Sequence, residues 1–274
     1  MRAHIHRLLP LAQALPGLNT WGEKSGPTRF PSKSGCLSVI MLLLSICGAV
    51  TSGWAAETPP PAGEAEKRWK QYQPEFDAFA VRDREAPVAP GGIVFAGSSI
   101  FRQWTTVSEQ MAPLPVLNRA FGGSRTGDQL ARFDQVITPY APKVIVYYCG
   151  SNDLKAGEVP EDPAAIFARF RAFSERVQAT LPRTSLIFVS STRSPDRVAR
   201  WEQVDHYNAL ARAYCAATPN RFFVDVNPAL VDAAGHPRLE LYKEDKLHFH
   251  PPAYVEFTRI LRPVLERVWA GAHE

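Results

Sequence analysis

The sequence predicts an α/β fold in which a parallel sheet is covered by helices on both faces. Two observations carry this. Five short apolar runs rich in β-branched residues, "GIVFAG", "PVLNRAF", "KVIVYYCG", "SLIFVSS" and "RFFVDV", follow one another from Pro87 onward. Among them stand longer segments, "PAAIFARFRAFSERVQATL", "WEQVDHYNALARAYCAAT" and "AYVEFTRILRPVLERVWAG", whose apolar residues recur at helical spacing. Strands alternating with helices form βαβ units, and those units place helices on both faces of a parallel sheet.

In chain order, the first element is a targeting segment, residues 1–56. Its apolar stretch "CLSVIMLLLSICGAV", from Cys36 to Val50, carries no charge, follows Arg29 and Lys33 and leads into small residues. That is the layout of a secretory signal, with cleavage expected around Ala55 or Ala56. A single membrane anchor is the alternative, for which the run is short; membrane contact is expected only through this segment if it is uncleaved. Lipidation at Cys47 is opposed by the bulky Ile46 before it. The segment also accounts for the net charge of +4. The chain has 31 Lys/Arg and 27 Asp/Glu, of which the segment holds five and one, leaving 26 of each. The body is therefore neutral and offers no electrostatic case for nucleic acid as a partner. With Cys36 and Cys47 removed, Cys149 and Cys215 remain, and their apolar settings read as buried thiols although an exported protein could bridge them.

Residues 57–86 follow as a Pro-rich linker and an N-terminal helix, "AEKRWKQYQPEFDAFAVRDRE". Residues 87–272 then form the main domain. At 274 residues, 45% hydrophobic and 21% charged, the chain can bury one full core. In an open parallel sheet ligands bind beyond the carboxyl ends of the strands. The residues just after the apolar runs include "GSS" (97–99), "GGS" (122–124), "GSND" (150–153) and "SSTRS" (190–194), with "DKLH" (245–248) just before the last helix. A serine needs a base within hydrogen-bond reach, and that base needs an orienting partner. His248 is the natural base for Ser99, and Asp245, three residues earlier, its natural partner. The Ser99 N–H, the Gly123 N–H and the Asn152 amide are candidate donors to a developing oxyanion. Each signal alone is weak, since such triplets are commonly turns; their order at successive strand exits makes the joint case.

These four blocks, "FAGSSI", "NRAFGGSRTGD", "GSNDL" and "DKLHFHPPAY", resemble those of the SGNH hydrolases, also called GDSL lipases or esterases. The resemblance runs from about Pro87 to the C-terminus. It implies a flavodoxin-like three-layer α/β/α sandwich with a parallel five-stranded sheet and no cofactor. Among the residues it implies Ser99 as nucleophile, Asp245 and His248 as its relay, and Gly123 and Asn152 in the oxyanion hole. The stretches around "RSPDRVARW" and "YNALARAYC" are most similar to bacterial members akin to platelet-activating-factor acetylhydrolase subunits. Ser98 stands where the family more often has Asp and is a rival nucleophile; Gly97, two residues before Ser99, favours Ser99.

The expected activity is hydrolysis of short-chain carboxylic esters through an acyl-serine, with a small-molecule, lipid or sugar ester as substrate. A carbohydrate O-acetyl esterase is the alternative enzyme, and a non-catalytic binding module the alternative of another class. Arg193 is a candidate contact for a polar or anionic substrate group or, equally, a solvated loop charge. His248 and His250 would need a third ligand to hold a metal, and none is expected. Trp104 and Trp201 read first as core.

Overall fold

A computed structural model describes residues 62–155, 159 and 161–272, with side chains from Arg68 onward. Cys36, Cys47 and the expected signal lie outside the described residues. Eight α-helices and five strands account for the described chain: α1 (Ala62–Glu85), β1 (Ile93–Gly97), α2 (Ser99–Arg102), α3 (Val107–Gln110), β2 (Val116–Asn118), α4 (Thr126–Ala131), α5 (Phe133–Val136), β3 (Val144–Tyr148), α6 (Pro163–Thr180), β4 (Ser185–Val189), α7 (Trp201–Ala217), β5 (Arg221–Val224) and α8 (Pro251–Gly271).

The strands form one sheet in the order β2-β1-β3-β4-β5, every pair parallel. Ile93 is in register with Val116 on one side and Val144 on the other. In β1, β3 and β4 every residue is buried, which is why those three runs are apolar without alternation. The edge strands β2 and β5 are only partly buried.

Successive side chains of a strand point to opposite faces, and this divides the core in two. Ile93, Phe95, Val144, Val146, Tyr148, Ile187 and Val189 pack with Ile100 and Phe101 of α2 and with Tyr254, Phe257, Leu261 and Leu265 of α8. Val94, Ala96, Ile145, Tyr147, Leu186 and Phe188 face the other way, into residues of α1, α6 and α7. The result is the expected three-layer sandwich. α1 buries Tyr72, Phe76 and Phe79 at helical spacing, and Tyr72 and Phe76 pack against Phe121 at ring-centroid distances of 4.9 and 5.2 Å. The helix therefore shares a core with the domain that follows it.

Trp104 is fully buried, stacks on Tyr254 and donates Nε1–H to Gln110 Oε1 at 2.6 Å. Trp201 is half-buried and donates to the Ser194 carbonyl at 2.9 Å. Cys149 and Cys215 are both free thiols inside the α1, α6 and α7 layer. Burial raises the Cys149 thiol well above its ordinary range and pushes Cys215 up to about 12.

Candidate active site

In an order of 2-1-3-4-5 the chain reverses direction across the sheet between β1 and β3, and the crevice outside their carboxyl ends is where ligands are received. Gly97 ends β1 at that point. A Cβ on Gly97 would lie 2.1 Å from the Tyr148 carbonyl oxygen of β3, so only glycine lets the two strands run this close to their ends. The chain then turns into α2, a single turn that Ser98 caps and Ser99 begins.

The two serines face different surroundings. Ser98 is fully buried, and its Oγ has no hydrogen-bond partner among the described residues. Ser99 Oγ lies 2.9 Å from His248 Nε2. On the other side of the ring, His248 Nδ1 lies 2.6 Å from Asp245 Oδ2. Asp245 Oδ1 accepts the backbone N–H groups of Leu247 (3.0 Å) and His248 (2.9 Å), so the loop fixes the carboxylate from below. Partial burial acts to raise the Asp245 carboxyl, but the His248 ring and these N–H donors outweigh it and hold the group at about 2. A hydroxyl, an imidazole and an ionised carboxylate in this sequence can move the serine proton onto the ring and stabilise the resulting imidazolium.

The other blocks are tied to this relay by buried hydrogen bonds. The Gly97 carbonyl accepts from the Phe121 N–H (3.0 Å), Ser124 Oγ (3.2 Å) and Gln129 Nε2 (2.9 Å), which join the Ser99 turn to the loop bearing Gly123. Asn152 Nδ2 donates to the Ser124 carbonyl at 3.0 Å, which sets the Asn152 amide beside the same loop. Asp153, with its side chain wholly buried, receives Thr126 Oγ1 (2.7 Å), the Thr126 N–H and Arg169, fastening the β3 exit to the start of α4. The Arg197 guanidinium donates to the Ser151 carbonyl, and the Asp196 N–H reaches the Lys246 carbonyl (3.2 Å). The loop after β4 thereby bridges the Asn152 turn and the Asp245 to His248 loop. Lys243 Nζ to Gln103 Oε1 (2.7 Å) and Tyr254 Oη to the Ile100 carbonyl (2.9 Å) hold the histidine loop and α8 against α2.

Sequence reasoning missed the part played by α1. Tyr72 Oη shares its one proton between the Gly123 carbonyl (3.3 Å) and Asp128 Oδ2 (3.0 Å), and Glu75 Oε2 accepts the Gly122 N–H at 2.9 Å. Burial, with Asp128 nearby, pushes the Tyr72 hydroxyl up to about 12, so it remains a donor at any working pH. Their signal in the sequence was only the i, i+3 spacing on an amphipathic helix, which does not say what the helix faces.

The remaining candidates lie elsewhere. Arg193 is bound through two nitrogens to Asp205 of α7, both at 2.6 Å, so its guanidinium is engaged by the protein itself. His250 caps α8 without a side-chain hydrogen bond, and its N–H reaches the Leu241 carbonyl. Among the described residues no group of three or more His, Cys, Asp or Glu is placed to hold a metal ion.

Residues 91–255 match the model of the GDSL-like lipase/acylhydrolase family. The chain is 26% identical over 219 residues to the human platelet-activating factor acetylhydrolase IB subunit alpha1, covering 78% of this chain and 89% of that protein. A Streptococcus pneumonia protein described as a platelet activating factor superposes with a TM-score of 0.62 at 22% identity, covering 76% of this chain and all of the other. A GDSL-like lipase from Bacteroides thetaiotaomicron gives 0.58 at 18% identity, over 70% and 97%. The family match spans more than half of the sequence and includes all four blocks, so this chain belongs to the GDSL-like lipase/acylhydrolase family.

Proposed function

We propose that the protein hydrolyses short-chain carboxylic esters by acyl transfer through Ser99, and that the Ser99, His248 and Asp245 relay, with contacts of 2.9 and 2.6 Å, is its catalytic apparatus. Ser99 Oγ attacks the ester carbonyl while His248 takes its proton, with Asp245 holding the imidazolium. The Ser99 N–H, Gly123 N–H and Asn152 Nδ2 stabilise the tetrahedral oxyanion. Collapse breaks the carbonyl to alkoxy bond and His248 returns the proton to the leaving alcohol. A water then attacks the acyl-serine, giving its proton to His248, and the second collapse releases the acid and restores the Ser99 hydroxyl. Support for a short acyl group comes from the curated relatives, whose name specifies an acetylhydrolase.

Fluorophosphonate labelling together with hydrolysis of p-nitrophenyl esters of graded chain length tests this. Ser99→Ala is expected to lose the label and all but residual turnover, while Ser98→Ala keeps the label. Labelling that survives in Ser99→Ala and disappears in Ser98→Ala would transfer the role to Ser98, and an unlabelled wild-type protein would leave a binding module.

We further propose that the apolar run from Cys36 to Val50, preceded by Arg29 and Lys33, directs export, to the periplasm or beyond. Expression of the full chain in a bacterium should yield a mature N-terminus near Ala56. A chain retained inside the cell with residues 1–56 intact would refute export.

A further inference from the structure

The contacts of α1 converge on one peptide. Glu75 Oε2 accepts the N–H of Gly122, which belongs to the peptide before the Gly122 to Gly123 bond, and Tyr72 Oη donates to the carbonyl of Gly123, which belongs to the peptide after it. The unit between them carries the Gly123 N–H, and it is held from both sides by residues one helical turn apart on α1. Glu75 makes a second contact. Its Oε1 lies 3.3 Å from Arg102 Nη1, and Arg102 is the last residue of the short helix that Ser99 begins. The Arg102 guanidinium in turn lies close to Gly122: a Cβ there would come within 2.7 Å of Arg102 Nε. One carboxylate thus spans the nucleophile helix and the glycine loop.

We infer that Glu75 is a positioning residue for acyl transfer, fixing the Gly122 to Gly123 peptide relative to Ser99 so that the Gly123 N–H points at the developing oxyanion. The Coulombic pair with Arg102 is half-exposed and contributes little by itself. The hydrogen bond to Gly122 is the component that sets the loop, because it is the only one of the two that determines where a backbone donor points. A donor turned away from the oxyanion weakens the transition state while leaving ground-state binding intact. The inference rests on the esterase reading above, with Gly123 as a donor.

The test uses the full-length protein and p-nitrophenyl acetate, with active-site concentration fixed by fluorophosphonate titration. Glu75→Ala should lower kcat roughly tenfold, a fraction of the 10²- to 10³-fold lost when a whole oxyanion donor is removed, with KM within about twofold of wild type. Glu75→Gln keeps an oxygen for the Gly122 N–H and loses the charge, and should recover kcat to within about threefold. Asp77→Ala, on the same helix but bonded among the described residues to Gln73 alone, at 2.8 Å, controls for weakening of α1 and should turn over as wild type. Equal loss in Glu75→Gln and Glu75→Ala would overturn the inference, as would a change confined to KM or an Asp77→Ala protein as slow as Glu75→Ala. If Glu75→Ala does not fold, the Gln variant still decides, since it must then be folded with near-normal kcat. A wild-type protein that does not label would defeat the esterase reading; a labelled wild type with an unimpaired Glu75→Ala would defeat only this inference.

Discussion

The low carboxyl of Asp245 in the proposed site has a measurable consequence for stability. Its carboxyl is held at about 2, below the ordinary 3.8, by the His248 ring and two backbone donors acting against desolvation. A carboxyl depressed in the folded state stabilises it only while ionised. The contribution is complete above the unfolded value near 4 and is lost as pH falls towards 2. Asp245→Asn should therefore unfold at a lower temperature than wild type at pH 5, with the gap closing as the two proteins are melted at successively lower pH down to about 2. A gap that stays constant or widens in acid would mean that Asp245 gains nothing from its partners. The same residue shows what was legible in the sequence. Asp245 and His248 could be paired because three residues separate them in one loop, and Ser99 could be preferred to Ser98 from its spacing to Gly97. Arg193 was not legible: its partner Asp205 sits on the next helix, and only the fold puts the two guanidinium contacts there.

The five strands read from the sequence as short apolar runs, and the four long helices because each spans enough turns for its period to show. α2, α3, α4 and α5 have four to six residues each, about one turn, and a single turn has no periodicity to detect. They matter nonetheless, since α2 presents Ser99 and α4 accepts the Asp153 anchor. The hinge between β1 and α2 is the most exacting element. With its Cβ 2.1 Å from the Tyr148 carbonyl, Gly97→Ala must either part β1 from β3 or bend the nucleophile turn. A loss of about 3 kcal/mol in urea denaturation is expected, at the upper end for overpacking, together with a fall in kcat. A variant as stable and as active as wild type would show that the strand ends are less constrained than this contact requires.

For the molecule as a whole, the two-faced core agrees with the residues that a linear reading assigns to packing and shows which ties it overlooks. Trp104 lies on the α2 and α8 face, where its partners are Phe95, Phe101, Tyr254 and Phe257, and it is packing. Cys149 and Cys215 lie on the opposite face, sealed from solvent and without a bridge. Arg197 and Glu75 are the reverse case. A charged residue in a loop or on an amphipathic helix reads as solvated, yet Arg197 is 5% exposed and holds the Ser151 carbonyl, and Glu75 reaches a backbone N–H 47 residues away. No local pattern encodes such contacts; they exist only once β1, β2 and β3 have paired.

The separation between Ser99 and His248 carries one more implication. They stand 149 residues apart, one at the exit of the first strand and the other just before the last helix. A ribosome delivers the proposed nucleophile early and its proposed base almost at the end, while every strand pairing in this sheet joins residues distant in the chain. The growing polypeptide thus holds an unactivated serine for most of its synthesis. On the proposed mechanism the relay is complete only once the segment bearing His248 has joined the sheet edge, so a copy that ends before His248 is expected to leave a fluorophosphonate unreacted.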